Sequence, residues 1–360
     1  MAGGRSPSDT PRTWLLASPH AGDNAQLDAL ALALGWPVTT KRLRYTALET
    51  LVRLSRRPTL AALNRKTSDQ LGPPWPELLL VSGRPNEAIA RWIRNKNSAA
   101  KIVFIGTPFS NLDAFDLVIT TPQYRLPQKS NVLHLTLPLH SVMPARLTQA
   151  KMLWQDRLAR LPSPVTTVLV GGSSGPYVFT ENAARRLARA INARGGSVSI
   201  TTSARTPPKV AARLKSEIKL PSVIHSWRAD DSDNPFLAFL AFADEIIVTA
   251  DSISMIAEAV ATEKPVYLFD IEQGPQAMRA ASDPAPSIHW RGRNLESTLF
   301  RLAMRLGPAS WSRDLRIVHK AVVDQNLAQW LGNPPSASRA KATAVGLQES
   351  VLRVRQLFGL

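Results

Sequence analysis

The chain has 360 residues, a formal net charge of +17 and 44% hydrophobic residues, which are typical of a folded protein with two domains of ordinary size. It contains no cysteine, so disulfide bonds, thiolate catalysis and cysteine-bound zinc are all excluded. No apolar run approaches the ~20 residues that a membrane-spanning helix needs.

The positive charge comes mostly from arginine spread along the chain, with a denser part between Lys41 and Lys66. No recognition-helix or RNP-type signature accompanies these residues, so we predict no nucleic-acid partner. Scattered arginine suits anionic lipid headgroups or a phosphate-bearing substrate. The alternative is a basic surface that only keeps the protein soluble.

Residues 1–12 lack an apolar core and predict a short disordered leader, not a secretory signal, so we expect a cytoplasmic protein. The first domain is predicted at residues 13–161, with strands at 13–17, 77–82, 101–105, 117–120 and 132–135 and helices at 24–34, 86–95 and 147–161. Apolar strands separated by helices indicate a mostly parallel, doubly wound sheet.

Residues 162–164, which include two prolines, predict a hinge, and the second domain is expected at residues 165–330. Its strands are predicted at 165–170, 198–202, 223–226, 246–249 and 266–269, and its helices at 180–194 and 209–217, with a further helix after residue 252. Residues 331–360 form a tail with a helix at 341–357. The predicted fold class is α/β with two Rossmann-like, doubly wound domains.

The most informative segment is the predicted strand that ends in Thr249, Ala250, Asp251 and Ser252 and runs into a helix. A polar strand-to-helix turn places hydroxyls, backbone N–H groups and the positive helix end at one point, where α/β sheets bind phosphate. Glu258 lies about two turns into that helix, where its carboxylate could accept hydrogen bonds from a ribose. The alternative is an ordinary strand-helix-strand unit with Glu258 on a solvated face.

Two further turns of the second domain suit an anion. Gly171, Gly172 and Ser173 follow a buried strand, and glycine lets backbone N–H groups approach a phosphate, although any tight turn also needs glycine. Ser203, Arg205 and Thr206 follow the next strand, and the guanidinium fork of Arg205 matches phosphate geometry. The glycine run is neither a dinucleotide fingerprint nor a P-loop, and no residues have metal-ligand spacing.

The chain resembles the ELM family, named for a plant mitochondrial-fission factor and with many bacterial members, and it is similar to the nucleotide-sugar half of GT-B glycosyltransferases. The matching pieces lie in order at residues 22–26, 81–84, 115–118, 131–132, 171–173, 203–206, 234–236 and 249–252. The family usually has a second arginine where this chain has Ala204, and generally a glycine where it has Glu263.

The resemblance implies two domains facing a cleft and a metal-independent glycosyltransferase or nucleotide-sugar-binding protein without a cofactor. The partner would be a nucleoside-diphosphate sugar, with a ribose on Glu258. Substrate-binding roles would fall on Gly22, Arg84, Gly171, Gly172, Ser173, Ser203, Arg205, Thr206, Asn234, Thr249, Asp251 and Ser252.

In inverting GT-B enzymes the first strand-to-helix turn can offer a base to the acceptor, and here His20 and Asp23 are the candidates. The alternatives are a solvent-exposed loop histidine and a helix N-cap aspartate. A non-catalytic adaptor that keeps the fold is the competing function, because fold alone does not decide activity.

Residues 45–66 begin with a predicted amphipathic helix that has an apolar face beside a basic rim. The apolar residues are Leu48, Leu51, Val52 and Leu54, and the basic ones are Arg53, Arg56 and Arg57. Such a segment predicts peripheral attachment to an anionic membrane surface, where a lipid-linked acceptor would also lie. The alternative is that these leucines pack against the rest of the domain.

Overall fold

The computed structural model describes residues 10–55, 57–229, 231–274, 277–279, 313–333 and 343–360. The chain forms two compact units, one of residues 1–141 with 344–360 and the other of residues 142–343. Within the described ranges, each unit contains a parallel sheet of six strands, connected mostly by helices. The predicted α/β class with two doubly wound sheets is confirmed.

The first unit has the strand order β2-β1-β3-β4-β5-β6. Its strands are β1 (Thr13–Ala17), β2 (Val38–Arg42), β3 (Leu78–Ser82), β4 (Lys101–Ile105), β5 (Leu117–Thr120) and β6 (Val132–His134). Its helices before residue 141 are α1 (Ala21–Leu34), α2 (Glu49–Ser55) and α3 (Arg84–Lys96).

The core of this unit lies on both faces of the sheet, because successive side chains of a strand point to opposite faces. In β3, Leu78 and Leu80 pack in one cluster with residues of α1, whereas Leu79 and Val81 pack in the other with residues of α3. A strand buried on both faces has an uninterrupted apolar sequence, and β3 does.

The second unit has the strand order β12-β11-β10-β7-β8-β9. Its strands are β7 (Val165–Val170), β8 (Ser197–Thr202), β9 (Ser222–His225), β10 (Glu245–Thr249), β11 (Val266–Phe269) and β12 (Gln329–Trp330). Its helices are α4 (Pro144–Leu153), α5 (Gln155–Leu158), α6 (Glu181–Asn192), α7 (Pro208–Glu217), α8 (Phe236–Phe242), α9 (Ile253–Val260) and α10 (Leu315–Asp324).

Each sheet has a switch point at which the chain changes direction across the sheet. In the first unit it lies between β1 and β3, and in the second between β7 and β10. Ligands of open α/β sheets bind outside the carboxyl ends of the strands at such a point. A ligand-binding residue is therefore expected to lie near one of these two switch points.

One predicted helix needs correction, and two of the elements that were not predicted have a clear physical reason. The helix predicted at 147–161 is two helices, α4 and α5, because Trp154 between them has the non-helical angles φ −109° and ψ 7°. Strand β2 was not predicted, since it is an edge strand with exposed threonines in place of an apolar run. Helix α8 was not predicted either, because its continuous apolar sequence has no helical period.

Two of the finer predictions hold. Thr180 caps α6, with its hydroxyl accepting from the Ala183 N–H at 3.2 Å. Glu263, which follows α9, has φ 58°, the left-handed conformation that a glycine adopts at lower cost, by about 1 kcal/mol.

The tail helix α11 (Thr343–Gln356) belongs to the first unit, where Trp36 and Phe358 meet edge to face at 5.7 Å. Residues 1–9 of the predicted leader lie outside the described residues. Residues 10–12 lead directly into β1, and the Glu77 N–H donates to the Arg12 carbonyl at 2.8 Å.

Candidate functional site

The switch point of the second unit brings the turns after β7 and β10 into direct contact. The Gly171 N–H donates to the Thr249 hydroxyl and the Gly172 N–H donates to the Asp251 carboxylate, both at 2.8 Å. Both bonds are buried, so the turns hold each other. Two of the predicted turns therefore form one structure.

The glycines are required here by space. A Cβ added at Gly171 would lie 2.3 Å from Asp251 Oδ2, and one added at Gly172 would lie 2.0 Å from the carbonyl oxygen of Arg205. The turn after β8, which contains Arg205, is thus packed against the glycine turn. All three predicted polar turns meet at this edge of the sheet.

Gly172→Ala is expected to lower the free energy of unfolding by about 2–3 kcal/mol, because the new methyl group collides with a backbone oxygen that cannot rotate away. Gly72→Ala is the matched control, since among the described residues no atom lies within 4 Å of its added Cβ. Urea unfolding compares the two variants with the parent. Equal losses in both variants would contradict the crowding at Gly172.

Arg205 joins the three turns through its guanidinium. Its Nη2 lies 3.1 Å from Asp251 Oδ2, and its Nη1 donates to the Ser173 carbonyl at 3.1 Å. Its side chain remains 43% exposed, whereas that of Asp251 is fully buried. Burial raises the pKa of the Asp251 carboxyl, while Arg205 and the Gly172 N–H oppose the rise.

Asp251 thus supports the turns from inside, and the exposed part of Arg205 can meet a ligand. Ser203 and Thr206 also act within their turn, with the Ser203 N–H donating to the Thr206 hydroxyl at 2.9 Å. Ser173 is exposed, and its hydroxyl accepts from the Phe179 N–H at 3.1 Å.

Ser252 stands at the N-terminal end of α9, and its hydroxyl does not cap the helix. No hydrogen bond of this hydroxyl occurs within the described ranges, although the residue is only 5% exposed. The N-terminus of α9 and this hydroxyl are therefore together at the switch point, as a phosphate site requires.

Glu258 lies on α9 with a partly buried side chain, and burial raises the pKa of its carboxyl to about 8. It has no ion-pair or hydrogen-bond partner in the part of the chain that the structure describes. A partly buried carboxyl without a partner costs stability, and such groups are concentrated at ligand sites. Its surroundings are less solvated than the exposed helix face of the alternative.

Asn234 is the predicted residue that lies apart from the three turns. It precedes α8 by two residues, and its side-chain oxygen accepts from the Phe236 N–H at 3.0 Å, which forms a local turn before that helix.

Sequence reasoning missed two residues that support the turns from α10 and its start. Arg313 donates through Nη2 to the hydroxyl of Ser174, beside the glycine turn. His319 is 1% exposed and donates from Nε2 to the Ala250 carbonyl at 2.6 Å. Burial lowers the pKa of His319 to about 4, so the ring is neutral at pH 7. No motif surrounds either residue, and only the fold reveals them.

Trp227 was also missed. It follows β9, the residue is 41% exposed, and its backbone N–H donates to the Thr202 hydroxyl at 2.9 Å. In the loop that contains Trp227, Nε2 of His225 lies 2.9 Å from Oδ2 of Asp231. A large aromatic residue directly after a strand is the signal that could have revealed it.

The switch point of the first unit contains the remaining candidates. The Ser18 hydroxyl donates to the Asp23 carboxylate at 2.8 Å, and Asp23 lies inside α1, while His20 occupies the N-cap position without a side-chain cap. His20 and Gly22 are exposed. The N-cap alternative for Asp23 is therefore not observed.

Gly83 links the β3 turn to this site. It has φ 81°, and a Cβ there would lie 3.1 Å from the Ser18 hydroxyl. Arg84, the first residue of α3, places its guanidinium 5.5 Å from the centre of the Phe109 ring. The four candidates therefore lie at the starts of the two helices that flank this switch point: His20, Gly22 and Asp23 at α1 and Arg84 at α3.

Comparison with known proteins finds a matching family model and two relatives. A family model described as Mitochondrial fission ELM1 matches residues 21–283. The Mitochondrial fission protein ELM1 of Arabidopsis thaliana is 32% identical over 232 residues, 57% of this chain and 53% of that protein, so the match spans about half of its length. An uncharacterized protein of Rickettsia prowazekii is 25% identical over 293 residues, 71% of this chain and 82% of that protein.

Among solved structures, a glycosyltransferase from Rickettsia africae has a TM-score of 0.44 at 11% identity, covering 98% of this chain and 100% of that one. A likeness of this size is too weak to transfer an activity or a ligand.

Proposed function

The chain belongs to the mitochondrial fission ELM1 family, as its ordered motifs predicted, and from the geometry of its second unit we propose that it binds a nucleoside-diphosphate sugar. The observation that carries this proposal is Glu258, a partly buried carboxyl without a partner among the described residues, on the helix that begins at the three joined turns. Two ribose hydroxyls would supply the hydrogen bonds that this carboxyl lacks.

The diphosphate would bind at the turns themselves. Its negative charge suits the N-terminus of α9, the free hydroxyl of Ser252 and the exposed part of Arg205. Arg313 adds a second guanidinium beside the glycine turn. That second charge compensates for Ala204, which replaces the arginine that the family usually has.

A glycosyltransferase of the metal-independent GT-B kind is the activity that this binding mode supports. The guanidinium groups and the helix end would stabilise the departing nucleoside diphosphate electrostatically. Of the two proposed bases, His20 is exposed, whereas Asp23 already accepts the hydroxyl of Ser18. His20 is therefore the better candidate for activating an acceptor hydroxyl.

The competing proposal is a non-catalytic adaptor that acts through protein contacts. It is favoured by the ion pair between Arg205 and Asp251, which gives Arg205 a structural role without any ligand. The Arabidopsis relative is also named for mitochondrial fission and not for sugar transfer. Nucleotide binding separates the two proposals, because an adaptor has no use for it.

We expect a nucleoside diphosphate at about 100 times its Kd to stabilise the protein by about 2.7 kcal/mol, which a thermal-shift screen detects easily.

Arg205→Lys should lose about tenfold or more in affinity, because a point charge cannot contact Asp251, Ser173 and a phosphate together. Arg189→Lys, an exposed residue on α6, is the control. Absence of any shift in the parent would favour the adaptor.

The first unit provides the surface for an anionic membrane or a lipid-linked acceptor. Leu48, just before α2, is 50% exposed, and Leu51, in its first turn, is 65% exposed. These two leucines therefore do not pack on the domain. Arg44 and Arg57 nearby are exposed as well. No helix in the described ranges is long and apolar enough to cross a membrane, and the proposed attachment is peripheral.

Cosedimentation with vesicles tests this surface. Binding should require anionic lipid and decrease with salt, and Arg44→Glu with Arg57→Glu should abolish it, since each arginine contributes about 1 kcal/mol near such a bilayer. Arg146→Glu with Arg189→Glu makes the same charge change at exposed positions of the second unit. Equal losses in both double variants would show that only net charge matters.

A further inference from the structure

A cavity of about 380 Å³ lies in the second unit beside α6, β11 and β12. Its volume is in the range of cavities that hold small organic ligands, roughly 300–1,000 Å³. None of the residues of the three joined turns lines it. It is therefore a place separate from the proposed nucleotide site.

The cavity wall combines arginines with an apolar surface. The arginines are Arg186, Arg194 and Arg279, and the apolar side chains include Leu268, Phe269 and Trp330. Arginine prefers anions with several oxygens, whereas an aromatic wall favours a flat apolar group. The two surfaces together suit a ligand that has both.

Aromatic rings and oxygen atoms of neighbouring residues position Arg186 and Arg194. Arg186 lies 5.1 Å from the centre of the Phe269 ring, and its Nη2 donates to the Asp270 carbonyl at 3.1 Å. Arg194 lies 4.4 Å from the Tyr267 ring, and its Nη1 contacts the carboxylate of Glu245 at 2.5 Å. Within the described ranges these contacts use one terminal nitrogen of each guanidinium, and each has five N–H donors.

Arg279 is the third arginine of the cavity wall. Its side chain is exposed and contacts Asn333 at 3.3 Å, while its backbone N–H donates to the Asp270 carboxylate at 2.8 Å. Burial raises the pKa of Asp270 and lowers the pKa of Arg186, although Asp270 and Glu272 oppose the change at Arg186. Asp270 also lines the cavity, so its wall has three arginines and one carboxylate, and this positive balance suits an anion.

We propose that this cavity is a second ligand site, for a small organic phosphate whose phosphate contacts Arg186 and Arg279 and whose apolar part lies against Phe269 and Trp330. This proposal does not depend on nucleotide binding at the switch point. A phosphate with an aromatic group has both required features and is the simplest probe.

Isothermal titration of the full chain with phenyl phosphate should give saturable binding. Arg279→Gln should raise the Kd at least about tenfold, since a charge-assisted contact is lost at an exposed position where folding is not at risk. Arg186→Gln should do the same, and Arg189→Gln, on the same helix but outside the cavity, should not. Unchanged affinity in Arg279→Gln and Arg186→Gln would overturn the proposal.

A variant and a competitor identify the site and the ligand class. Arg205→Lys, at the switch point and outside the cavity, should bind phenyl phosphate as the parent does, and a loss of affinity there would place the probe at the switch point instead, overturning the second site. Inorganic phosphate should bind at least about tenfold more weakly, because it cannot use the apolar wall. Equal affinity for the two phosphates would contradict an organic ligand.

Discussion

Replacing Glu258 by glutamine is expected to stabilise the protein by about 2–5 kcal/mol at pH 8 and to leave its stability nearly unchanged at pH 4.5. In the folded protein, burial raises the pKa of this carboxyl to about 8 from its ordinary value of 4.5. The folded state therefore binds more protons than the unfolded state between these pH values. Stability consequently falls as the pH rises through that window.

Glutamine has the same shape and no charge, so it removes this loss. Denaturant unfolding of both proteins at several pH values from 4.5 to 8.5 measures the difference. Glu349→Gln, an exposed position on α11, is the matched control and should show no such trend. A constant difference between Glu258→Gln and the parent over this range would contradict the burial of the carboxyl.

The same substitution should weaken nucleoside-diphosphate binding by about tenfold or more, since a hydrogen bond to a charged acceptor contributes about 1.5–3 kcal/mol. Stability and binding would then change in opposite directions, as expected for a group retained for its ligand rather than for folding. A variant with unchanged affinity would separate Glu258 from the ribose.

Acid is expected to destabilise the protein through His319 by about 3 kcal/mol between pH 6.5 and pH 4. Burial lowers the pKa of this ring to about 4 from its ordinary value of 6.5. The unfolded state therefore binds the additional proton in this window, and stability falls as the pH falls. Below pH 4 the folded state binds the proton too, and the loss is complete.

His319→Gln tests this effect. The variant should be less stable than the parent at pH 7, because the contact with Trp330 and the bond to Ala250 are weakened. Its disadvantage should shrink by about 3 kcal/mol on going to pH 4, since glutamine does not titrate. His134→Gln is the control at a histidine less buried than His319. A disadvantage independent of pH would mean that His319 is not a buried neutral ring.

The positions of most strands could be predicted from local sequence. Strand β3 is mostly apolar and β7 has only two threonines among its apolar residues, because both faces of these parallel strands are buried, and a glycine lies in the turn after each strand. The edge strand β2 was not predicted, because its residues are largely exposed and it therefore has no apolar run.

The sequence by itself also determined which turns lie together. Gly171 and Arg205 follow strands and Thr249 ends one, and parallel strands end at the same edge of a sheet, so motif order alone placed them near one another. It likewise placed His20 and Arg84 on the two turns of the first unit. These are local consequences of residue type and strand direction.

The tertiary structure decided what each side chain does there. Gly172 and Asp251 are 79 residues apart, and only the order β10-β7-β8 brings the carboxylate under the glycine N–H and against Arg205. Arg313 and His319 reach the same turns from a later helix with no motif to mark them. Burial, which sets the pKa of Glu258 and His319, depends on neighbours that are distant in sequence, so it emerges only when the sheet is assembled.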